Sequence, residues 1–326
     1  MSDLPKISII VPTYNEEHNI RTCLDAVFSQ DYPREKLEVM VVDNRSEDRT
    51  VEILGDYDVR LIYNDIEKHG ETSKMIGFQQ CTGEFFIYLD ADIEILGKNW
   101  LRNLLRPFSE NEHMTGAFGR FVPKPSDSAI GRFLRYHPLE LDPILQYFSV
   151  DIERTVVERK EGYTLCEFLY PRIPLVGICL YRVEYLKEAL KGVRKFIDID
   201  VPCLLSKAGH TRFAYVPYSG FYHINVKNLR DLLARRWRNL MTVYLPNEDI
   251  REYQYFDLSS LWDWLRIGAW VIYANLFVPE LVRGLYKWAR FKDYACLYQP
   301  VISIILTDFI CFCFIWKKFL ARDFKK

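Results

Sequence analysis

The 326-residue chain contains eight cysteines but no Cys-x-x-Cys pair, so the thiolate spacing of a zinc knuckle is excluded. The nearest pair, Cys311 and Cys313, lies in an apolar stretch, and the thiols read as reduced packing groups of a cytosolic compartment. An excess of one charge is lacking as well. The 43 Lys and Arg against 44 Asp and Glu leave a formal net charge of -1, which gives no electrostatic footprint for nucleic acid as a partner. Neither a fixed-period repeat nor a low-complexity tract is present, so solenoid and linker readings fall away. The residues after Met1 run through Ser2, Asp3, Leu4, Pro5 and Lys6 into an apolar stretch that stops at Pro12. That pattern is not a signal peptide, so the N-terminal domain is expected on the cytoplasmic side. What is present, 49% hydrophobic and 27% charged residues, suits one large globular domain with an appendage.

Apolar runs of strand length occur at Ile7 to Val11, Leu37 to Val42, Val59 to Tyr63 and Phe85 to Leu89, a pitch of roughly 25 to 30 residues that matches successive β-α units. Between the first two, Ile20, Cys23, Leu24, Val27 and Phe28 form a one-faced stripe at helical spacing. The Asp31-Tyr32-Pro33 segment then ends that helix. Continuous rather than alternating apolar strands imply burial on both faces, hence an α/β fold with a doubly wound, mostly parallel sheet. Thr13, Asp43, Asn64 and Asp90 each follow a strand and are expected along one rim, where ligands bind in open α/β sheets.

Three Asp-x-Asp pairs occur: Asp56 with Asp58, Asp90 with Asp92, and Asp198 with Asp200. The first flanks Tyr57 after Gly55 and reads as a solvated turn. Asp90 and Asp92 follow five apolar or aromatic residues, and alternation lets both carboxylates face one divalent cation, Mn²⁺ or Mg²⁺, which hard oxygen ligands suit. Glu94 continues the alternation, as a third oxygen or a solvated strand end. Asp43, in Val-Val-Asp-Asn-Arg-Ser, is placed to accept from a base N–H or a ribose hydroxyl. Lys74, between Gly70 and Gly77, is placed to reach a pyrophosphate as a point charge, or is a surface lysine on a helix.

These segments, in this order, resemble the family 2 glycosyltransferases of the nucleotide-diphospho-sugar transferase fold (GT-A type). The opening Pro-x-Tyr-Asn-Glu is matched by Pro12, Thr13, Tyr14, Asn15 and Glu16; the second element by Asp43, Asn44, Ser46, Asp48 and Thr50; the third by Asp90, Ala91 and Asp92. Further on, Asp198 and Asp200 precede Lys207, Ala208, Gly209 and His210, then Tyr222 and His223. Ile197 stands where the family often has Glu, and Met75 where many members have Asn.

The resemblance implies a metal-dependent, inverting transfer of one sugar from a UDP- or GDP-linked donor, with Asp90 and Asp92 on the metal and Asp198 as the base for an acceptor hydroxyl. Pro12 to Glu16, Asp43, Lys74 and Asp90 to Asp92 are the expected donor contacts. A hydroxyl acceptor on a lipid-linked or cell-envelope glycan is favoured, because an ionised phosphate acceptor needs no base; a polyprenyl-phosphate glycosyltransferase is the alternative. A catalytically silent membrane-bound scaffold is the reading from another class. His223 is left open between metal ligand, acceptor contact and core histidine. The stretch Pro123 to Leu175, with Tyr136, His137, Tyr147, Tyr163 and Tyr170, is expected on the acceptor side.

The catalytic domain is expected over residues 1–225, and residues 226–326 differ in composition. Leu229, Leu232, Leu233, Trp237, Leu240 and Met241 form an apolar stripe in a segment made basic by Lys227, Arg230, Arg235, Arg236 and Arg238, as suits a helix on an anionic membrane surface. Leu233 replaces the Gln of the processive members' Gln-x-x-Arg-Trp, which disfavours polymer synthesis. Two apolar segments, Ile267 to Val282 and Pro300 to Trp316, interrupted by Asn275, Glu280 and Asp308, each fall short of the roughly 20 residues of a spanning helix. The loop between them carries Arg283, Lys287, Arg290 and Lys292, and the tail carries Lys317, Lys318, Arg322, Lys325 and Lys326. Basic residues on both sides favour in-plane or re-entrant helices on the cytoplasmic leaflet over a spanning hairpin.

Overall fold

The structure, a computed structural model, describes residues 4–136, 147–223, 226–241, 245, 251–254, 256–257 and 259–317. His137 of the expected acceptor stretch and Lys318, Arg322, Lys325 and Lys326 of the basic tail lie outside the described residues. The chain divides into two compact units, Met1–Val122 with Val150–Ile224, and Pro123–Ser149 with Asn225–Lys326. The division is not linear in sequence: Pro123–Ser149, expected within the N-terminal domain, groups with the C-terminal helices.

The first unit is built on one sheet of ten strands: β1 Ile7–Thr13, β2 Leu37–Asp43, β3 Arg60–Tyr63, β4 Phe85–Tyr88, β5 Ile93–Ile95, β6 Gly116–Phe121, β7 Val156–Lys160, β8 Tyr163–Glu167, β9 Cys179–Arg182 and β10 Arg212–His223. Their order is β3-β2-β1-β4-β9-β6-β10-β8-β7, with β5 on β10. The first four pair in parallel, and β1 is buried along its whole length, as the continuous apolar runs predict. Beyond β4 the sheet is mixed. β9 runs antiparallel between β4 and β6, β6 pairs in parallel with β10, and β8 pairs antiparallel with both β10 and β7. A short connection accounts for part of the mixing. Only Glu161 and Gly162 separate Lys160 from its partner Tyr163, with Gly162 at φ 92°, and a two-residue loop can join only antiparallel strands.

Helix Ile20–Phe28 buries Ile20, Cys23, Leu24 and Val27, four members of the stripe read from sequence, and so covers the sheet with its apolar face. Helix Gly70–Gln80 lies close against β1: a β-carbon at Gly77 would overlap Ile10 Cγ2. The missing side chain is what allows this approach.

The second unit is helical in its described part. Helices Ala129–Leu134, Leu229–Asn239, Leu261–Ala274, Phe277–Phe291 and Gln299–Ile315 pack around two apolar clusters, one on Phe133, Leu232, Ile302 and Leu306, the other on Phe148, Trp270, Ile310 and Cys313. Polar ties fix the packing. Arg132 binds Asp293 through Nε–Oδ2 at 2.6 Å and Nη2–Oδ1 at 3.1 Å, and fully buried Glu280 accepts from Tyr147 Oη and Gln299 Nε2, each at 2.5 Å.

The first apolar segment, interrupted in sequence by Asn275 and Glu280, is broken into two helices meeting at 73°. Asn275 ends the first of them, its Nδ2 donating back to Val271 O at 3.0 Å and across to Asp308 Oδ1 at 3.1 Å. The second is longer than expected. A 3₁₀ turn over Tyr294–Tyr298 extends it to Tyr294–Ile315, 22 residues of mean hydropathy 1.8, long and apolar enough to cross a membrane.

Candidate active site

The carboxyl ends of β1 to β4 form one rim in register. Thr13 stands opposite Asp43, and Asp43 opposite Tyr63; the strand bonds continue past the ends, with Asn44 N donating to Thr13 O and Asn64 N to Asp43 O. Asp43, wholly buried, accepts from Thr13 Oγ1 at 3.1 Å, the Ser46 amide at 2.9 Å and Ser46 Oγ at 2.5 Å. Three accepted bonds fill three of the four lone-pair sites of its carboxylate. Asn64 Nδ2 reaches Asn44 Oδ1 at 2.8 Å and Ser73 Oγ at 3.0 Å, so the rim is tied to helix Gly70–Gln80.

The loop from Pro12 to Glu16 is held by the residues of the second motif. Asn15 adopts φ 54°, a left-handed conformation that Asn tolerates better than most residues. Its amide donates to Ser46 Oγ at 2.9 Å and its Oδ1 accepts from Glu47 N at 2.8 Å. Glu16 N donates to Thr50 Oγ1 at 2.7 Å, and Glu17 N to Asp48 Oδ2 at 3.0 Å. Ser46, Asp48 and Thr50 therefore act as a splint for the first motif, a role the sequence pattern alone does not disclose. Tyr14 is exposed on this loop with Lys68 Nζ 5.2 Å from its ring centroid, and Arg45 stacks 4.2 Å from the Tyr63 ring while paired to Asp65.

Asp90, Ala91 and Asp92 turn between β4 and β5, closed by Ile93 N to Asp90 O at 2.9 Å. Because β5 pairs antiparallel with β10, with Ile93 opposite His223, His223 Nε2 comes within 3.2 Å of Asp92 Oδ1. Glu16 faces the same turn. Burial first, then the charges of Asp92, Asp90 and Asp48, push its carboxyl above the usual range in spite of a bond from Asn19. Glu94 stands opposite Tyr222, one step further from the rim.

Asp198 precedes helix Val201–Lys207 and is positioned by its neighbour Phe196. That ring is fully buried, 5.3 Å from Phe86 and 5.6 Å from Tyr88, and its amide donates to Glu71 O at 3.1 Å. Lys74 Nζ lies 2.8 Å from each Asp198 oxygen and 3.3 Å from Asp90 Oδ1. Lys74 is thus buried beneath the rim, not a surface lysine. Burial raises the Asp198 carboxyl to about 6, with the Asp90 and Glu71 charges adding to it and Lys74 opposing.

Two further sequence features are structural. Gly209, at φ 94°, ends helix Val201–Lys207, with His210 N donating to Leu205 O at 2.9 Å, so Lys-Ala-Gly-His is a helix stop. Asp56 and Asp58 form exposed pairs with Arg21 and Arg34, as a solvated turn requires.

Among the described residues no three His, Cys, Asp or Glu side chains are gathered closely enough to hold a metal by themselves. Asp90 and Asp92 nevertheless fit a hard divalent cation. Their charges burden Glu16, and an ion bound by one or two carboxylates completes its shell from phosphate oxygens and water.

Residues 8–155 match the family model described as Glycosyl transferase family 2. The chain is 40% identical over 96 residues to Glycosyltransferase AglE of Haloferax volcanii, an alignment covering 28% of this chain and 32% of that protein. Over 264 residues it is 30% identical to the poly(ribitol-phosphate) beta-glucosyltransferase of Bacillus spizizenii, covering 74% of this chain and 39% of that one. It thus spans between 32% and 39% of the length of these two relatives. Among solved structures, the mannosyltransferase PcManGT from Pyrobaculum calidifontis, described in complex with GDP-Man and Mn2+, superposes with a TM-score of 0.54 over 97% of this chain and 89% of that one at 17% identity, a likeness of fold. The chain belongs to the family 2 glycosyltransferases and has their GT-A type of fold.

Proposed function

We propose that this protein is a membrane-associated, metal-dependent inverting glycosyltransferase that moves one sugar from a UDP- or GDP-linked donor to a hydroxyl of a lipid-linked or cell-envelope glycan. The observation that carries the reading is the convergence of Asp90, Asp198 and Lys74, with Asp92 on the adjoining turn, at the carboxyl rim of β1 to β4. The relatives, among them a poly(ribitol-phosphate) beta-glucosyltransferase, support a cell-envelope polymer or glycan as acceptor.

In this reading the splinted loop Pro12 to Glu16 and the spare lone pair of Asp43 hold the nucleoside, and Lys74 meets the diphosphate. Asp90 and Asp92 hold Mn²⁺ or Mg²⁺. When bound, the ion neutralises charge on the departing nucleoside diphosphate. Asp198 takes the acceptor hydroxyl's proton while the new bond forms at the anomeric carbon opposite the breaking one. A carboxyl raised to about 6 is ionised at neutral pH and still basic enough for that step.

The helical unit supports the membrane part. Leu261, Trp262, Ile272, Val278 and Tyr286 are among many large apolar side chains it exposes, well beyond the small patches of a soluble monomer. Exposed Tyr286, Trp288 and Phe291 beside exposed Arg290 suit the interface of a cytoplasmic leaflet, whereas Arg283 and Lys287 turn inward to Glu280 and Gln299. The bend between helices Leu261–Ala274 and Phe277–Phe291 favours an in-plane or re-entrant arrangement for that pair.

One observation favours a second reading. Lys74 holds both Asp198 oxygens, and an acceptor phosphate, already ionised, would need no base; the enzyme would then be a polyprenyl-phosphate glycosyltransferase. Turnover of a nucleotide-sugar panel with and without native membrane extract separates these. Extract-stimulated turnover lost in both Asp92→Ala and Asp198→Asn supports the hydroxyl acceptor. Turnover that survives Asp198→Asn selects the phosphate, and no turnover of any donor by wild type rejects both.

A further inference from the structure

One ammonium bridges two carboxylates. Lys74 Nζ contacts both oxygens of Asp198 at 2.8 Å and Asp90 Oδ1 at 3.3 Å, and lies 4.1 Å from the centroid of the Tyr88 ring, with only 5% of its side chain exposed. Glu71, on the same helix, adds a third negative charge to its surroundings. The helix carries Lys74 this deep because Gly77 packs directly on Ile10.

We propose that Lys74 is a resident cation of the donor-free site, one that competes with the divalent ion for Asp90 and withholds Asp198, so that metal binding and release of the base are both coupled to nucleotide-diphosphate binding. The inference rests on the metal-dependent reading of Asp90 and Asp92. Two cations on Asp90 Oδ1 repel each other, although Asp90, with 41% of its side chain exposed, feels this less than buried Lys74 does. A diphosphate removes the conflict in two ways: it offers the ammonium another anion, which a lysine follows as a flexible point charge, and it completes the metal's oxygen shell. Lys74 is then a positioning residue acting through Asp90 and Asp198. Asp198 becomes ready to accept a proton only when the donor is in place.

The test is Mn²⁺ binding to the full chain in detergent, read from the electron paramagnetic resonance of free Mn²⁺ with and without UDP or GDP, so that no turnover is needed. Lys74→Met alone leaves the partly exposed Asp198 without its counter-charge, so the charge-balanced pair Lys74→Met with Asp198→Asn is measured beside it. Wild type should bind Mn²⁺ weakly alone and roughly tenfold or more tighter with nucleotide, a coupling of ordinary size. In the double variant, nucleotide-free affinity should rise by roughly tenfold and the coupling should shrink correspondingly. Equal or weaker nucleotide-free affinity in the folded double variant overturns the role of Lys74 alone. Failure of wild type to take up Mn²⁺ with either nucleotide overturns the metal-dependent reading, and the proposal with it.

Discussion

His223 Nε2 lies 3.2 Å from Asp92 Oδ1, brought there by the antiparallel pairing of β10 with β5. If Asp92 holds the proposed ion, the imidazole either orients its carboxylate from outside or joins the ion's shell directly, and both routes act on the metal. His223→Ala should therefore raise the Mn²⁺ concentration for half-maximal activity by roughly 10- to 100-fold, the usual cost of losing a partner of a ligand. A metal titration of initial rates checks this. An unchanged half-saturating concentration would reduce His223 to a packing residue.

Asp48 supports the donor loop without belonging to it. It accepts from the amides of Glu17 and Thr50 and from Thr50 Oγ1, so Asp48→Ala loosens the backbone on which Tyr14 and Asn15 sit. Losing these bonds should cost about 1–2 kcal/mol of stability and weaken UDP or GDP binding, with kcat changed less than donor KM. Thermal unfolding and nucleotide titration on one preparation read both effects.

Much of this was legible in the sequence because each strand end carries its polar residue immediately after an apolar run. Val41 and Val42 before Asp43, and Ile87 to Leu89 before Asp90, announce buried strands and then their cargo. The mixed half of the sheet was not legible: strands such as β9 and β10 are apolar enough for either direction, and direction depends on how the connections close. Nor was the burial of Lys74. A lysine flanked by Ser73 and Met75 reads as a surface group until the fold sets Asp198, 124 residues away, against it. The interruption at Asn275 was legible, but not its bond to Asp308, 33 residues on.

The apolar surface of the helical unit should be lipid-facing. Trp262 is 77% exposed and Leu261 75%, and both precede the bend. With the other tryptophans replaced by Phe, fluorescence from Trp262 should be quenched by brominated acyl chains in anionic vesicles. Leu261→Glu with Trp262→Glu should lower vesicle partitioning by roughly tenfold or more. Partitioning that does not change would place this surface against protein.

Arg132 and Asp293 form a paired contact with 13% and 14% of their side chains exposed. The bonds from Arg132, then Tyr136, hold the Asp293 carboxyl well below the ordinary carboxylate range, against some burial. A carboxyl lowered on folding contributes stability that is complete above its unfolded value of 3.8 and lost as pH falls through the folded one. Asp293→Asn should therefore lower the melting temperature at pH 7 and narrow the gap to wild type below about pH 3. Asp293→Ala, which leaves Arg132 unpaired, should cost about 3 kcal/mol.

Asp198 sets the acid limb of activity if it is the base. Its carboxyl is raised to about 6, chiefly by burial, and a general base works only when ionised. In the free enzyme kcat/KM should thus fall as pH drops below about 6, approaching tenfold per pH unit, and level off above it. Asp198→Asn removes the ionisable group while keeping its shape, so the limb should vanish together with roughly 10²- to 10⁴-fold of kcat. The donor's dissociation constant should change far less, since Asp198 reaches the donor only through Lys74. A variant that keeps near wild-type kcat without the limb would mean the acceptor arrives already ionised, and the chemistry would be transfer to a lipid phosphate.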